Sequence, residues 1–166
     1  EASALGITIV PLSIRFGEEE LVDRIELGAD EFYARMAAST DVPGTAAPAP
    51  GAFTAAFDNC FEDGANTVVC INLSSGVSAT LEAAEIGARE LGDRDIRIID
   101  SRSVTGGLGT LVLAAGQAAN DGASAEEVVS VVESLKQRTY VYAALDTLEN
   151  LKKGGRIGNA QALFGN

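Results

Sequence analysis

Thr67-Val68-Val69-Cys70-Ile71-Asn72-Leu73-Ser74-Ser75-Gly76-Val77-Ser78 is the stretch on which the fold turns. From Val68 to Leu73 it is apolar but for Asn72, with no alternation of polar and apolar side chains. A strand with one wet face alternates, whereas a strand covered on both faces of a parallel sheet does not. The run predicts a central parallel strand. The serine-glycine turn behind it predicts a change of direction into a helix of roughly Ser78 to Leu91.

Downstream the pattern repeats. Arg97-Ile98-Ile99-Asp100 reads as a strand, followed by a glycine-rich turn and a helix through Leu108, Leu111, Val112, Ala115 and Ala118 to the turn at Asp121-Gly122. Ser124-Ala125-Glu126-Glu127 has the form of a capping box and predicts a helix to about Gln137. Thr139 to Leu145 reads as one more strand, and Asp146 to Lys153 as a short helix stopped by Gly154-Gly155.

Upstream, the β-branched run Ile7 to Ile14 predicts a strand, with Gly17 to Asp23 returning as a short charged arm and a helix over Asp30 to Ala38. Thr40 to Gly51 holds Pro43, Pro48, Pro50, Gly44 and Gly51, which predicts an ordered loop. In Phe53, Ala56, Phe57, Cys60 and Phe61 the apolar residues recur at three and four, an amphipathic helix that Gly64 can close.

Strands alternating with helices predict an α/β fold, a mostly parallel sheet with helices on both faces, in one domain spanning residues 1–166. In such sheets ligands bind at the edge where the strands end. The chain's 166 residues and 46% hydrophobic content suffice to bury a core without a metal or disulfide, and Cys60 and Cys70 read as reduced core thiols.

A net charge of -12 repels phosphate backbones and anionic surfaces, so no nucleic acid partner is expected. No run reaches the length of a membrane span and Glu1-Ala2-Ser3 lacks a basic leader, which predicts a cytoplasmic protein without membrane insertion. Histidine is absent, which removes the usual base for a serine or cysteine nucleophile and the commonest transition-metal ligand. Neither a metal nor a cofactor is predicted.

The Ser74 to Ser78 turn lies between a buried strand and a helix N-terminus, where free amides, the helix dipole and serine hydroxyls suit one anionic group such as a carboxylate. The alternative from spacing alone is that Ser78 caps the helix and Ser74-Ser75-Gly76 only turns.

Several stretches resemble the DegV family in order and spacing. They are Val10-Pro11-Leu12-Ser13 with Phe16, Glu31-Phe32-Tyr33, Thr45 to Pro50, Leu73 to Thr80, Asp100-Ser101-Arg102-Ser103, Gly107-Leu108-Gly109, Asp146 to Leu151 and Lys153 to Gly158. The resemblance implies the N-terminal DegV α/β domain and a bound long-chain fatty acid. It implies a carboxylate cradle of Thr45, Ser74, Ser75, Gly76 and Ser78, and Arg156 as a contact for a separate fatty acid kinase that makes the acyl phosphate. Arg156 could equally bond the last carbonyls of the helix before it.

The chain departs from the family at Ala46, Ala47, Val77 and Ala79, and the alanines remove donors beside Thr45. Against the family it looks cut at both ends, with 146–166 as the start of a connection to a further domain. Met36, Phe53, Phe57 and Phe61 are candidates to line an acyl tunnel, although at helical spacing they also read as ordinary core.

The resulting expectation is a non-enzymatic lipid carrier with fatty acid as ligand. Two rivals remain: a structural or interaction domain without lipid, and a serine-dependent enzyme. The enzyme lacks both a histidine and a G-x-S-x-G elbow.

Overall fold

The computed structural model describes residues 1–39, 42–156 and 158. Parts of two predicted segments, Thr40–Gly51 and 146–166, therefore lie outside the described residues. The 146–166 connection is traced only through Arg156 and Gly158.

The centre is a parallel pair, β4 (Val68–Asn72) and β5 (Ile96–Asp100), in register from Val68 opposite Ile96 to Asn72 opposite Asp100. Val69, Ile71 and Ile99 face one layer, α4 (Thr105–Asn120) and α5 (Ala125–Lys136), around Leu111, Ala115, Val128 and Val132. Val68, Cys70, Ile96 and Ile98 face the other, α2 (Pro50–Glu62) and α3 (Thr80–Arg89), around Phe53, Phe57, Ala83 and Ala84. With helices against both faces, alternate residues of β4 each meet apolar partners, which is why the run is unbroken.

The helix termini follow the local chemistry. Ser124 accepts the Glu127 amide while the Glu127 carboxylate takes the Ser124 amide, as the capping box predicts. Gly64 closes α2 at φ 98, a conformation that strongly favours glycine. Gly87 lets α2 and α3 touch, since a Cβ there would stand 2.6 Å from the Pro50 carbonyl oxygen. Arg97 ties β5 to α5, reaching Asp95 at 3.1 Å and Glu126 at 2.7 Å.

A separate antiparallel sheet has the order β2-β1-β3, from β1 (Ser13–Phe16), β2 (Glu19–Val22) and β3 (Gly44–Ala46). The helix α1 (Ala29–Ala38) joins it through Phe32 against Phe16 and Arg35 to Glu19 at 2.7 Å. Gly17 to Asp23 is thus the returning arm that the charge pattern suggests, and part of the Pro-rich loop is a strand.

The α/β class and helices on both faces of a parallel sheet hold, and among the described residues the parallel ladder joins two strands, β4 and β5. Of the strand predicted over Ile7 to Ile14 only Ser13 and Ile14 pair, as the start of β1, and the strand predicted over Thr139 to Leu145 does not form. Ile7 to Leu12 has no ladder, although Ile7 packs on Gly116 of α4 and Val10 joins the Phe53–Phe57 cluster. The inward side chains pack without a paired backbone, while Thr8 and Ile9 are exposed.

Thr139 to Leu145 is likewise irregular. Tyr140 and Tyr142 are 74% and 89% exposed, while Val141 between them turns in against Gly107. A short helix α6 (Glu149–Lys153) follows. No helix of the described residues is long and apolar enough to cross a membrane.

Candidate functional site

Buried polar side chains are confined to one place. Among the described residues they are Asn72, Ser74, Thr80, Ser101 and Ser103. The first three sit at or beyond the end of β4 and the last two beyond the end of β5. Polar groups taken from water need partners, so the carboxyl ends of the parallel pair are where the fold places its internal chemistry.

The two turns are knitted together. Ser74 donates its amide to the Ser103 carbonyl at 2.9 Å, and the Ser74 hydroxyl accepts the Gly76 amide at 3.2 Å. Ser101 donates its hydroxyl to the Ser103 carbonyl at 3.2 Å and accepts the Ser103 amide at 3.1 Å. Ser78 shares a 2.8 Å bond with the Thr80 hydroxyl and accepts the Thr80 amide at 3.3 Å. Ser78 thus bonds the first residue of α3 from two positions ahead, but the N-cap position itself is Ala79 and has no side-chain cap.

Ser75 is exposed and committed to Asp100. Its hydroxyl donates to Oδ2 at 2.6 Å and its amide to Oδ1 at 3.3 Å, and the Arg102 amide donates to Oδ1 at 2.9 Å. Asp100 was not among the predicted site residues. The available signal was that turns ending adjacent parallel strands must lie side by side.

Arg156 reaches back over 79 residues, its Nε 3.4 Å from the Val77 carbonyl oxygen and its Nη1 2.7 Å from that of Gly154. It bonds the end of its own helix, as the capping alternative expects, and also reaches the serine turn, a contact that its position in the sequence did not suggest.

Thr45 stands apart from this group. It is exposed on β3 opposite Ile14, and among the described residues no hydrogen bond joins it to the serine turn. Of the apolar candidates, Phe53, Phe57 and Phe61 are buried, the first two with ring centroids 5.9 Å apart and the third under Arg94. Met36 is half-buried on α1.

Cys70 is partly buried against the Phe53–Phe57 cluster, and loss of solvent pushes its thiol up to about 11 despite a bond from Asn72. Among the described residues no group of three or more Cys, Asp or Glu is placed to hold a metal.

Comparison with known proteins decides the family. The family described as "Uncharacterised protein, DegV family" matches residues 1–166. The chain belongs to the DegV family. It is 34% identical over 161 residues to a DegV domain-containing protein of Streptococcus pyogenes serotype M3, covering 97% of this chain and 57% of the relative.

Among solved DegV structures, it is similar to one from Thermus thermophilus described as fatty acid binding. That match has a TM-score of 0.85 and 29% identity, over 99% of this chain and 58% of that one. The fatty acid binding protein DegV from Bacillus subtilis gives 0.84 and 30%, over 97% and 57%. This DegV chain thus spans little more than half the length of the relatives it matches.

Proposed function

We propose that this DegV chain supplies the head-group turns and part of the interior of a fatty-acid carrier. The observation that carries the reading is the confinement of buried polar side chains to the ends of β4 and β5, beside the start of α3. Such an edge suits one anionic group presented by a ligand that is otherwise apolar. The fatty-acid-binding DegV proteins of T. thermophilus and B. subtilis, both matched over nearly all of this chain, support that choice of ligand.

In this reading Ser74, Ser75, Gly76 and Ser78 form the carboxylate turn, with Thr45 approaching from the antiparallel sheet. Arg156, exposed beside Val77, adds a cation at the rim and is the candidate contact for a fatty acid kinase. Burial of about 14 methylenes of a sixteen-carbon acid is worth roughly 11 kcal/mol before ordering costs. Losing about half of that on binding leaves roughly 5 to 6 kcal/mol, on the order of 100 µM from burial alone, so the carboxylate contacts add strength as well as orientation.

The protein acts by sequestration and not by chemistry of its own, since a serine nucleophile here has a carboxylate partner and no histidine. The test is organic extraction of the purified protein with lipid mass spectrometry, followed by palmitate titration of the delipidated sample. Stoichiometric fatty acid, or tight palmitate binding, is expected. A protein that carries none and refuses added palmitate would sink the proposal.

A further inference from the structure

Ser103 is 6% exposed, and its hydroxyl is, among the described residues, the one buried side-chain polar atom without a hydrogen-bond partner. Its backbone is fully used: the amide goes to Ser101 and the carbonyl takes Ser74 and Ser101. Only Oγ is unspent. A buried hydroxyl left in this state is destabilising, so a fold that keeps it invites a partner from outside.

The hydroxyl lies against the first turn of α4, 2.1 Å from where a Cβ on Gly107 would stand. Glycine at 107 is what leaves room for it, and Val141 closes the other side. That 16-residue helix begins without a side-chain cap, because its N-cap residue is Val104. The amides of Thr105 and Gly106 precede its first internal bonds, which run from Gly107 and Leu108 to Val104. A Cβ on Gly106 would meet nothing within 4 Å, so this side of the turn is open.

We infer that Ser103 Oγ and the uncapped first turn of α4 form a second oxyanion subsite, which takes one oxygen of the bound acid's carboxylate. The inference rests on the fatty-acid reading above and extends it from one turn to two. The Ser74 amide bonded to the Ser103 carbonyl makes the two turns contiguous, so one carboxylate can meet both. The orphan donor and the dipole of α4 then act on the same group. Arg102 and Thr105, on either side, are non-glycine residues held at φ 50, which places local strain at this same turn.

The experiment compares palmitate with hexadecanol, an equal chain without the carboxylate, on the purified protein and on Ser103→Ala. Removing an unpartnered hydroxyl leaves the ligand-free melting temperature unchanged or higher. Palmitate affinity falls about ten-fold and hexadecanol affinity stays the same.

Gly107→Ala, which crowds Oγ, gives the same selectivity in a second variant. Unchanged palmitate affinity in Ser103→Ala, or equal losses for both ligands, overturns the subsite and leaves the carrier reading intact. A wild-type protein that binds neither ligand overturns both.

Discussion

Ser75 donates its hydroxyl proton to Asp100 across 2.6 Å, and its amide points at the same carboxylate. An internal anion therefore occupies the donors that a ligand carboxylate would be expected to use. Ser75 is a guest-facing residue only to the extent that Asp100 releases it.

Asp100→Asn should strengthen palmitate binding. The asparagine oxygen can still accept the Ser75 and Arg102 amides, while its NH₂ group faces the Ser75 hydroxyl and frees that proton for a ligand. Removing one like charge a few ångströms away adds about 1 kcal/mol in water, roughly five-fold in affinity. Calorimetric titration decides it: weaker binding would mean that Asp100 serves chiefly to hold the turn.

Arg156→Ala should leave stability within about 0.5 kcal/mol of wild type, since the side chain is exposed. Palmitate affinity should fall several-fold at low salt, with the difference shrinking at high salt as the surface charge is screened. A difference indifferent to salt would assign Arg156 to the Gly154 and Val77 carbonyls alone.

Phe57→Ala should cost about 3 to 5 kcal/mol in denaturant unfolding, the usual range for deleting a buried phenylalanine ring. Phe57 shares one buried cluster with Phe53 and the α3 alanines Ala83 and Ala84. If the stripe also lines an acyl tunnel, palmitate affinity drops in the folded variant. Stability lost at constant affinity would make it core alone.

Cys70 should make the protein less stable as pH rises from about 9 to about 11. The folded thiol is pushed up to about 11 from an ordinary 9.0, so in that window the unfolded chain has released a proton that the folded chain keeps. The stability is present below pH 9 and is lost on the way to 11. Melting curves of Cys70→Ala should show a shallower alkaline decline than wild type; superimposable declines would refute the assignment.

The sequence carried the centre of the molecule better than its flanks. The run Val68 to Leu73 announced its covered strand because Val68 to Ile71 face one helical layer and the other in turn, and Ser124 with Glu127 announced α5 because a capping box is local. Ile7 to Leu12 and Thr139 to Leu145 misled because strand-like composition does not specify pairing. Ile7 and Val141 turn inward against glycines of α4, while Ile9, Tyr140 and Tyr142 are exposed, and among the described residues no neighbouring backbone pairs with them.

At the site, the serine turn was legible from its place between strand and helix. Asp100 and Ser103 were not, because their roles depend on parallel register: Asn72 pairs with Asp100, and only that alignment sets one turn beside the other. Thr45 was tied to the turn by family resemblance, a relation that no local pattern encodes.

The placement of Tyr140 and Tyr142 on either side of Val141 has a spectroscopic consequence. The chain has no tryptophan, and its third tyrosine, Tyr33, is on the surface too. Intrinsic emission is therefore nearly blind to melting of the phenylalanine core, yet two of its three fluorophores flank the side chain that covers Gly107. A change in tyrosine signal on adding lipid would report events at the start of α4, with the interior contributing almost no background.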